Sequence, residues 1–162
     1  MGMKKESYQT NYMIHEHLES LLGQDVTLVK KALKAAEDAY APYSGYHVGA
    51  AVLLQNGEII TGNNQENAAY PSGLCAERVA LFYAGSRYPG IPTRAIAITA
   101  LCDGAVQEDP VTPCGACRQV MYEREIRGNS PMEVILYGSK KIVVLQRAGD
   151  LLPLPFMLNK EG

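Results

Sequence analysis

The chain has 162 residues, a formal net charge of −2 at pH 7, 47% hydrophobic and 20% charged residues, and no Trp. That length suits one domain, able to bury roughly two thirds of the surface its unfolded form would expose. The positive residues are scattered, which argues against nucleic acid, and no run approaches the roughly 18 apolar residues of a membrane span.

The opening "MGMKKESYQTNYMIHEH" has two lysines but no apolar core behind them, so it does not read as a secretory signal. Glu6 stands where an N-myristoylation signal needs Ser or Thr. A soluble, cytoplasmic protein is expected, in which cysteines spaced C-x-x-C point to metal or redox chemistry more than to disulfides. Residues 1–24 are polar and show no periodicity. They are treated as an N-terminal extension to a domain over 25–162.

From Asp25 to Tyr40 the apolar positions Leu28, Val29, Ala32, Leu33, Ala36 and Ala39 recur at three and four, predicting an amphipathic helix that "APYSGYH" breaks. Strands are predicted at 48–54 and 58–62, joined by Asn56-Gly57 as a two-residue hairpin turn. Further strands are expected at 94–101, 132–138 and 141–147, and helices at 74–84, at 113–125 and, briefly, near Asp150. A hairpin followed by alternating strands and helices predicts an α/β domain with helices covering a mixed sheet.

Two stretches carry chemistry: "LCAERVAL" and "TPCGACRQVM". Thr112-Pro113 reads as a helix opening, with Thr112 able to cap and Pro113 suited to the first turn. Cys114 and Cys117 then share one face of that turn. Ser72-Gly73 precedes the other helix, so Cys75 also falls near a helix start, with Glu77 just inside. Helix N-termini stabilise thiolates, and three thiolates with one open position is the arrangement of a catalytic zinc. Three thiolates and Zn²⁺ sum to −1, which weakens the metal as a Lewis acid. Arg78 and Gln119 are placed to offset this by donating hydrogen bonds to sulfur. Glu77 is read as a proton carrier. "CGAC" alone also suits a structural zinc, a redox dithiol or buried thiols. Cys102 is expected to be a buried core thiol, and the His15/His17 pair lacks a third ligand nearby.

With these residues in place, the chain resembles the small homotetrameric zinc-dependent cytidine deaminases, from "AYAPYSGYHVGAAVLL" through "NNQENAAYP" to "DLLPLPF". The resemblance implies a three-layer α/β/α cytidine deaminase-like fold with one Zn²⁺ per chain between two helix N-termini. Cys75, Cys114 and Cys117 match its metal ligands. Glu77 matches the shuttle that carries a proton from the attacking water to the ring N3 and then to the departing ammonia. Asn64 and Glu66 match its ribose contacts. Ala68 and Tyr70 match positions leaning toward a neighbour's site. Tyr46 falls where the family usually has a Phe against the base, and Phe156 matches an aromatic that covers the base in a neighbouring subunit.

Departures include His47 for a frequent Pro, Ala69 for a common Cys, and an extension with no counterpart. The segments "LCDGAVQEDPV" and "EREIRGNSPM" depart as well, the first in length and the second in added charge. The expected activity is hydrolytic deamination of free cytidine and 2′-deoxycytidine in pyrimidine salvage, by a homotetramer with shared sites. The alternatives are a deaminase of a modified cytosine nucleoside such as blasticidin S, a non-catalytic zinc-stabilised protein and a dithiol redox protein.

Overall fold

The computed structural model describes residues 2–158. Helix α1 (Gly23–Glu37) is followed by strands β2 (Tyr46–Leu54) and β3 (Ile59–Asn63), helix α2 (Ala76–Arg87) and strand β4 (Thr93–Cys102). The two-residue strand β5 (Ala105–Val106), helix α3 (Gly115–Gly128) and strands β6 (Glu133–Tyr137) and β7 (Ile142–Leu145) complete the domain. Strand β1 (Met13–His15) lies ahead of them, inside the stretch for which the sequence predicted no element. Among the described residues one sheet runs β1-β7-β6-β4-β2-β3, with β5 paired to the end of β4. Only the β4–β6 pairing is parallel, so the sheet is mixed as expected. No helix there is long and apolar enough to cross a membrane.

Both faces of the central strands are covered, which explains their nearly continuous apolar sequence. Ala51, Leu53, Ala95, Ala97 and Ile135 pack with Leu28, Val29 and Ala32 of α1. Ala50, Val52, Ile96, Ile98 and Leu136 pack with Ala76, Ala80 and Leu81 of α2 and Met121 of α3. The result is three layers, with α1 on one side of the sheet and α2 and α3 on the other. Two strand glycines set the spacing of the layers. A Cβ on Gly49 would lie 2.0 Å from the Ala32 carbonyl oxygen, and one on Gly62 would lie 2.6 Å from the Ala80 nitrogen. Helix α2 therefore rests directly on the backbone of β3.

Several boundaries differ from the sequence reading. Helix α1 stops at Glu37 because Tyr40 turns away to bond with the 64–66 segment, donating its N–H to the Asn64 carbonyl at 3.1 Å. The β2–β3 connection, Gln55 to Glu58, has four residues rather than two, and across it the Leu54 N–H donates to the Glu58 carbonyl at 2.9 Å. The Gly57 N–H donates to the Leu54 carbonyl, and Gly57 takes the left-handed φ of 89° that ends such a turn. The helix expected near Asp150 is a four-residue 3-10 turn, Ala148–Leu151, and Pro153 and Pro155 prevent its extension. Cys102 is half-buried at the end of β4 rather than a core thiol, because β4 has there outrun its helical cover.

Candidate active site

Cys75 and Cys114 are themselves the residues that cap α2 and α3, both in extended conformation. The helix openings thus lie later than the sequence reading had them: Pro113 precedes the cap, and Thr112 makes none. Neither helix start receives a side-chain cap, so its N–H groups keep their partial positive charge for nearby anions. Cys117, in the first turn of α3, is fully buried. The three sulfurs lie within 4.8 Å of one another, with Cys114 and Cys117 3.5 Å apart.

This cluster fits zinc. A tetrahedral ion with sulfurs at about 2.3 Å sets them roughly 3.8 Å apart, within the observed spread. Arg78 donates from Nη2 to the Cys75 sulfur at 3.4 Å. Its Nε is buried without a partner among the described residues, a donor left over beside the thiolates. The Cys75 thiol is pulled down to about 5 by hydrogen bonding from the Cys117 thiol and then by Arg78, against the effect of burial. Cys117 moves up for the complementary reason: it donates to Cys75 and is buried beside Glu77. Metal binding requires the three sulfurs as thiolates and releases whatever protons they carry.

Glu77 occupies the second position of α2 and is only 4% exposed. Burial raises its carboxyl above the ordinary range, assisted by the Cys75 charge, while its own backbone N–H, the Cys117 thiol and Arg78 oppose the shift. A buried carboxyl biased toward holding its proton, next to three thiols, is suited to accepting and returning protons.

A cleft of about 480 Å³ leads to this cluster, lined by Tyr43, Ser44, Asn64, Gln65, Glu66, Asn67, Tyr70, Gly73, Leu74, Cys75 and Arg78. Its size falls within the roughly 300–1,000 Å³ of small-molecule sites. The wall is built by Gln65, which exchanges backbone hydrogen bonds with Leu74 at 2.9 Å each way and so places the residue before Cys75. Glu66 faces the cleft with its carboxylate accepting from the Tyr43 N–H at 2.9 Å, the Ser44 N–H at 3.3 Å and the Ser44 hydroxyl. Asn64 is held at both ends, accepting from the Val48 N–H at 2.8 Å and donating to the Tyr46 carbonyl at 2.9 Å. One amide hydrogen and one lone pair remain for a ligand.

A family model described as the cytidine and deoxycytidylate deaminase zinc-binding region matches residues 22–129. The chain belongs to this deaminase family. The cytidine deaminase of Sporosarcina psychrophila is 42% identical over 130 residues, 80% of this chain and 88% of that protein. That of Mycobacterium tuberculosis is 39% identical over 79% of this chain and 86% of its own length. A crystal structure of cytidine deaminase from Burkholderia pseudomallei superposes with a TM-score of 0.69 at 43% identity, over 80% of this chain and 97% of that one.

Against this family frame, the structure brings Cys75, Cys114, Cys117, Glu77 and Arg78 together and puts Asn64, Glu66 and Tyr70 on the adjoining cleft. Tyr46 is half-buried at the start of β2, on the sheet face toward α2 and α3, and lies outside the cleft lining. Ala68 is exposed, and Tyr70, 76% exposed, meets Tyr43 edge-on with centroids 6.0 Å apart.

One expectation is corrected. Gln119 does not donate to a thiolate: its Nε2 donates to the Phe156 carbonyl at 2.9 Å, and its Oε1 accepts from the Phe156 N–H at 3.1 Å. Two residues beyond Cys117, it sits about 200° further round the helix and faces away from the sulfurs. Tyr43 and Ser44 were missed by the sequence reading. Gly45, with φ 65° immediately before β2, marks the tight turn that aims their N–H groups at Glu66.

Proposed function

We propose that the chain hydrolytically deaminates free cytidine and 2′-deoxycytidine, releasing ammonia and the corresponding uridine, as a step in pyrimidine salvage in the cytoplasm. The observation that carries this reading is the buried Glu77 beside the three-cysteine cluster, at the end of a cleft of nucleoside size that Asn64 and Glu66 help to line. Cys75, Cys114 and Cys117 would hold one zinc per chain, which when bound would supply Lewis acidity to lower the pKa of the attacking water. Arg78 offsets the thiolate charge.

Glu77 takes the proton from the attacking water and delivers it to the ring N3 as C4 is attacked. It then takes the remaining proton from the hydroxyl now on C4 and passes it to the exocyclic nitrogen, so that the C4–N bond breaks with ammonia as leaving group and C4 becomes the carbonyl. One carboxyl serves both transfers, which keeps atoms and protons in balance. Asn64 and Glu66 orient the sugar, and Tyr46, outside the cleft lining of the single chain, is assigned to the base.

The active form is a homotetramer whose neighbours add Ala68, Tyr70 and Phe156 to each site. In its support, Tyr70, Phe82, Tyr83 and Phe156 each leave more than half of their surface exposed in the single chain, an apolar area suited to burial between subunits.

The test is an ultraviolet assay of the zinc-loaded protein with cytidine and, in parallel, with blasticidin S. Loss of cytosine absorbance with cytidine supports the reading. Turnover of only the modified nucleoside, or of neither at one zinc per chain, sinks it. A fully active monomer by sedimentation would overturn the shared-site arrangement.

A further inference from the structure

Beyond β7 the main chain is gripped from two directions. From α3, Glu125 accepts the Ala148 N–H at 2.9 Å, and Arg118 donates to the Leu151 carbonyl at 3.0 Å. Between these, the Tyr8 hydroxyl donates to the Gly149 carbonyl at 2.8 Å and the Thr10 hydroxyl to the Asp150 carbonyl at 2.8 Å. Three successive carbonyls, 149 to 151, are each taken by a side chain, and two of those side chains belong to the N-terminal extension. The extension is itself fixed by β1, whose Met13, Ile14 and His15 pair with Val144, Val143 and Ile142.

The same turn launches the C-terminal arm. Pro153 and Pro155 fix two of the φ angles between the turn and Phe156, so the direction set at 148–151 is carried along the arm. Gln119 holds the Phe156 backbone at the far end, and the Tyr122 hydroxyl contacts Met157 Sδ at 3.1 Å. The Phe156 ring is 69% exposed, so its placement depends on the backbone that presents it.

We propose that Tyr8 and Thr10 are positioning residues, whose hydroxyls fix the 148–151 turn and thereby set where Phe156 is presented to the nucleoside site. The proposal rests on the reading of Phe156 as part of that site. Tyr8 and Thr10 touch neither substrate nor metal. Their loss weakens the cover over the base alike in ground and transition states, which raises KM and leaves kcat alone.

The test compares wild type with Tyr8→Phe/Thr10→Val, which keeps side-chain bulk, and with Tyr8→Phe/Thr10→Ser, which restores one hydroxyl. Amide hydrogen exchange over 148–157 is expected to quicken in the first variant, with α1 and β4 unchanged. For two such hydrogen bonds, KM for cytidine is expected to rise roughly five- to tenfold at constant kcat and zinc content. The serine variant is expected to recover part of both effects. Unchanged exchange, or quicker exchange with KM unchanged, or a fall in kcat at fixed KM, overturns the proposal.

The chain contains no Trp, so Phe156→Trp gives a probe independent of activity. Its emission is expected to shift when the two hydroxyls are removed, and an unmoved emission overturns the positioning role. If wild type fails to turn over cytidine, the nucleoside reading falls by that result, while exchange and emission still decide whether the hydroxyls hold the arm.

Discussion

Gly138 sits against the main chain of Glu108 with no room for a side chain: a Cβ there would stand 2.4 Å from the Glu108 carbonyl oxygen and 2.7 Å from the Pro110 nitrogen. Around this contact the Ser139 N–H donates to the Gln107 carbonyl at 2.9 Å, and the Lys140 N–H to that of Glu108 at 3.1 Å. The exposed ion pairs Lys140–Glu108 and Lys141–Asp109 lie over the same seam and add little. The β6–β7 turn therefore fixes residues 107–110, which lead through Pro113 into Cys114.

Gly138→Ala is expected to destabilise the fold by about 1–3 kcal/mol, the usual cost of overpacking. It is also expected to lower zinc content by shifting Cys114 relative to Cys75. Gly23→Ala is the control, since a Cβ there meets nothing within 4 Å. Denaturant titration and metal analysis check both effects, and equal zinc content in the two variants would remove Gly138 from the support of the site.

Glu77→Gln keeps the shape of the side chain and removes its capacity to carry protons. The rate of cytidine deamination is expected to fall by about 10²–10⁴ while one zinc per chain is retained. Steady-state kinetics on metal-analysed protein checks this. A loss of zinc in step with activity would make Glu77 a ligand and not a proton carrier.

Arg78→Ala takes away the 3.4 Å contact to the Cys75 sulfur together with the unpartnered Nε. Zinc affinity is expected to drop about 10- to 100-fold, as for other partners of metal ligands. Arg78→Lys keeps the charge but not the fork and recovers only part of that loss. Competition with a chromophoric chelator measures it, and an unchanged affinity would contradict the role.

Glu66 carries a pH signature. The Ser44 hydroxyl, followed by the Tyr43 N–H, holds its carboxyl below the ordinary value of 4.5. Because the folded value is depressed, the stability it contributes is complete above the unfolded value and disappears as pH falls through the folded one. Glu66→Gln is therefore expected to be less stable than wild type at pH 6, with the gap closing below pH 4.5. Urea midpoints across that range test the sign, and a gap that widens with acid would refute it.

The sequence made Cys75, Glu77, Cys114 and Cys117 readable because their chemistry lies in residue type and spacing. Gln119 was misread because its role depends on helical phase and on the C-terminal arm passing α3, neither of which its immediate neighbours encode. Tyr43 serves Glu66 through its backbone N–H, which looks alike at every position, and the Ser44 hydroxyl reaches Glu66 only because the turn brings together residues 22 apart in sequence. Asp103-Gly104, a strong turn pair with both residues at positive φ, could have disclosed β5. Met13–His15 could not have disclosed β1: two exposed residues and one half-buried one show no buried face, and the strand is defined by Val144 and its neighbours across the sheet.

That last pairing has a consequence for synthesis. Met13 leaves the ribosome 131 residues ahead of Val144. While those residues are being made β1 has no partner, because the β7 edge does not yet exist. Sheet closure at this side, and the seating of the C-terminal arm that follows β7, must wait until β7 has emerged. Until then the backbone edge of β1 stays unpaired beside the apolar Tyr12, Met13 and Ile14, which remain exposed even in the folded chain, and this makes the segment open to chaperones and to self-association as it emerges.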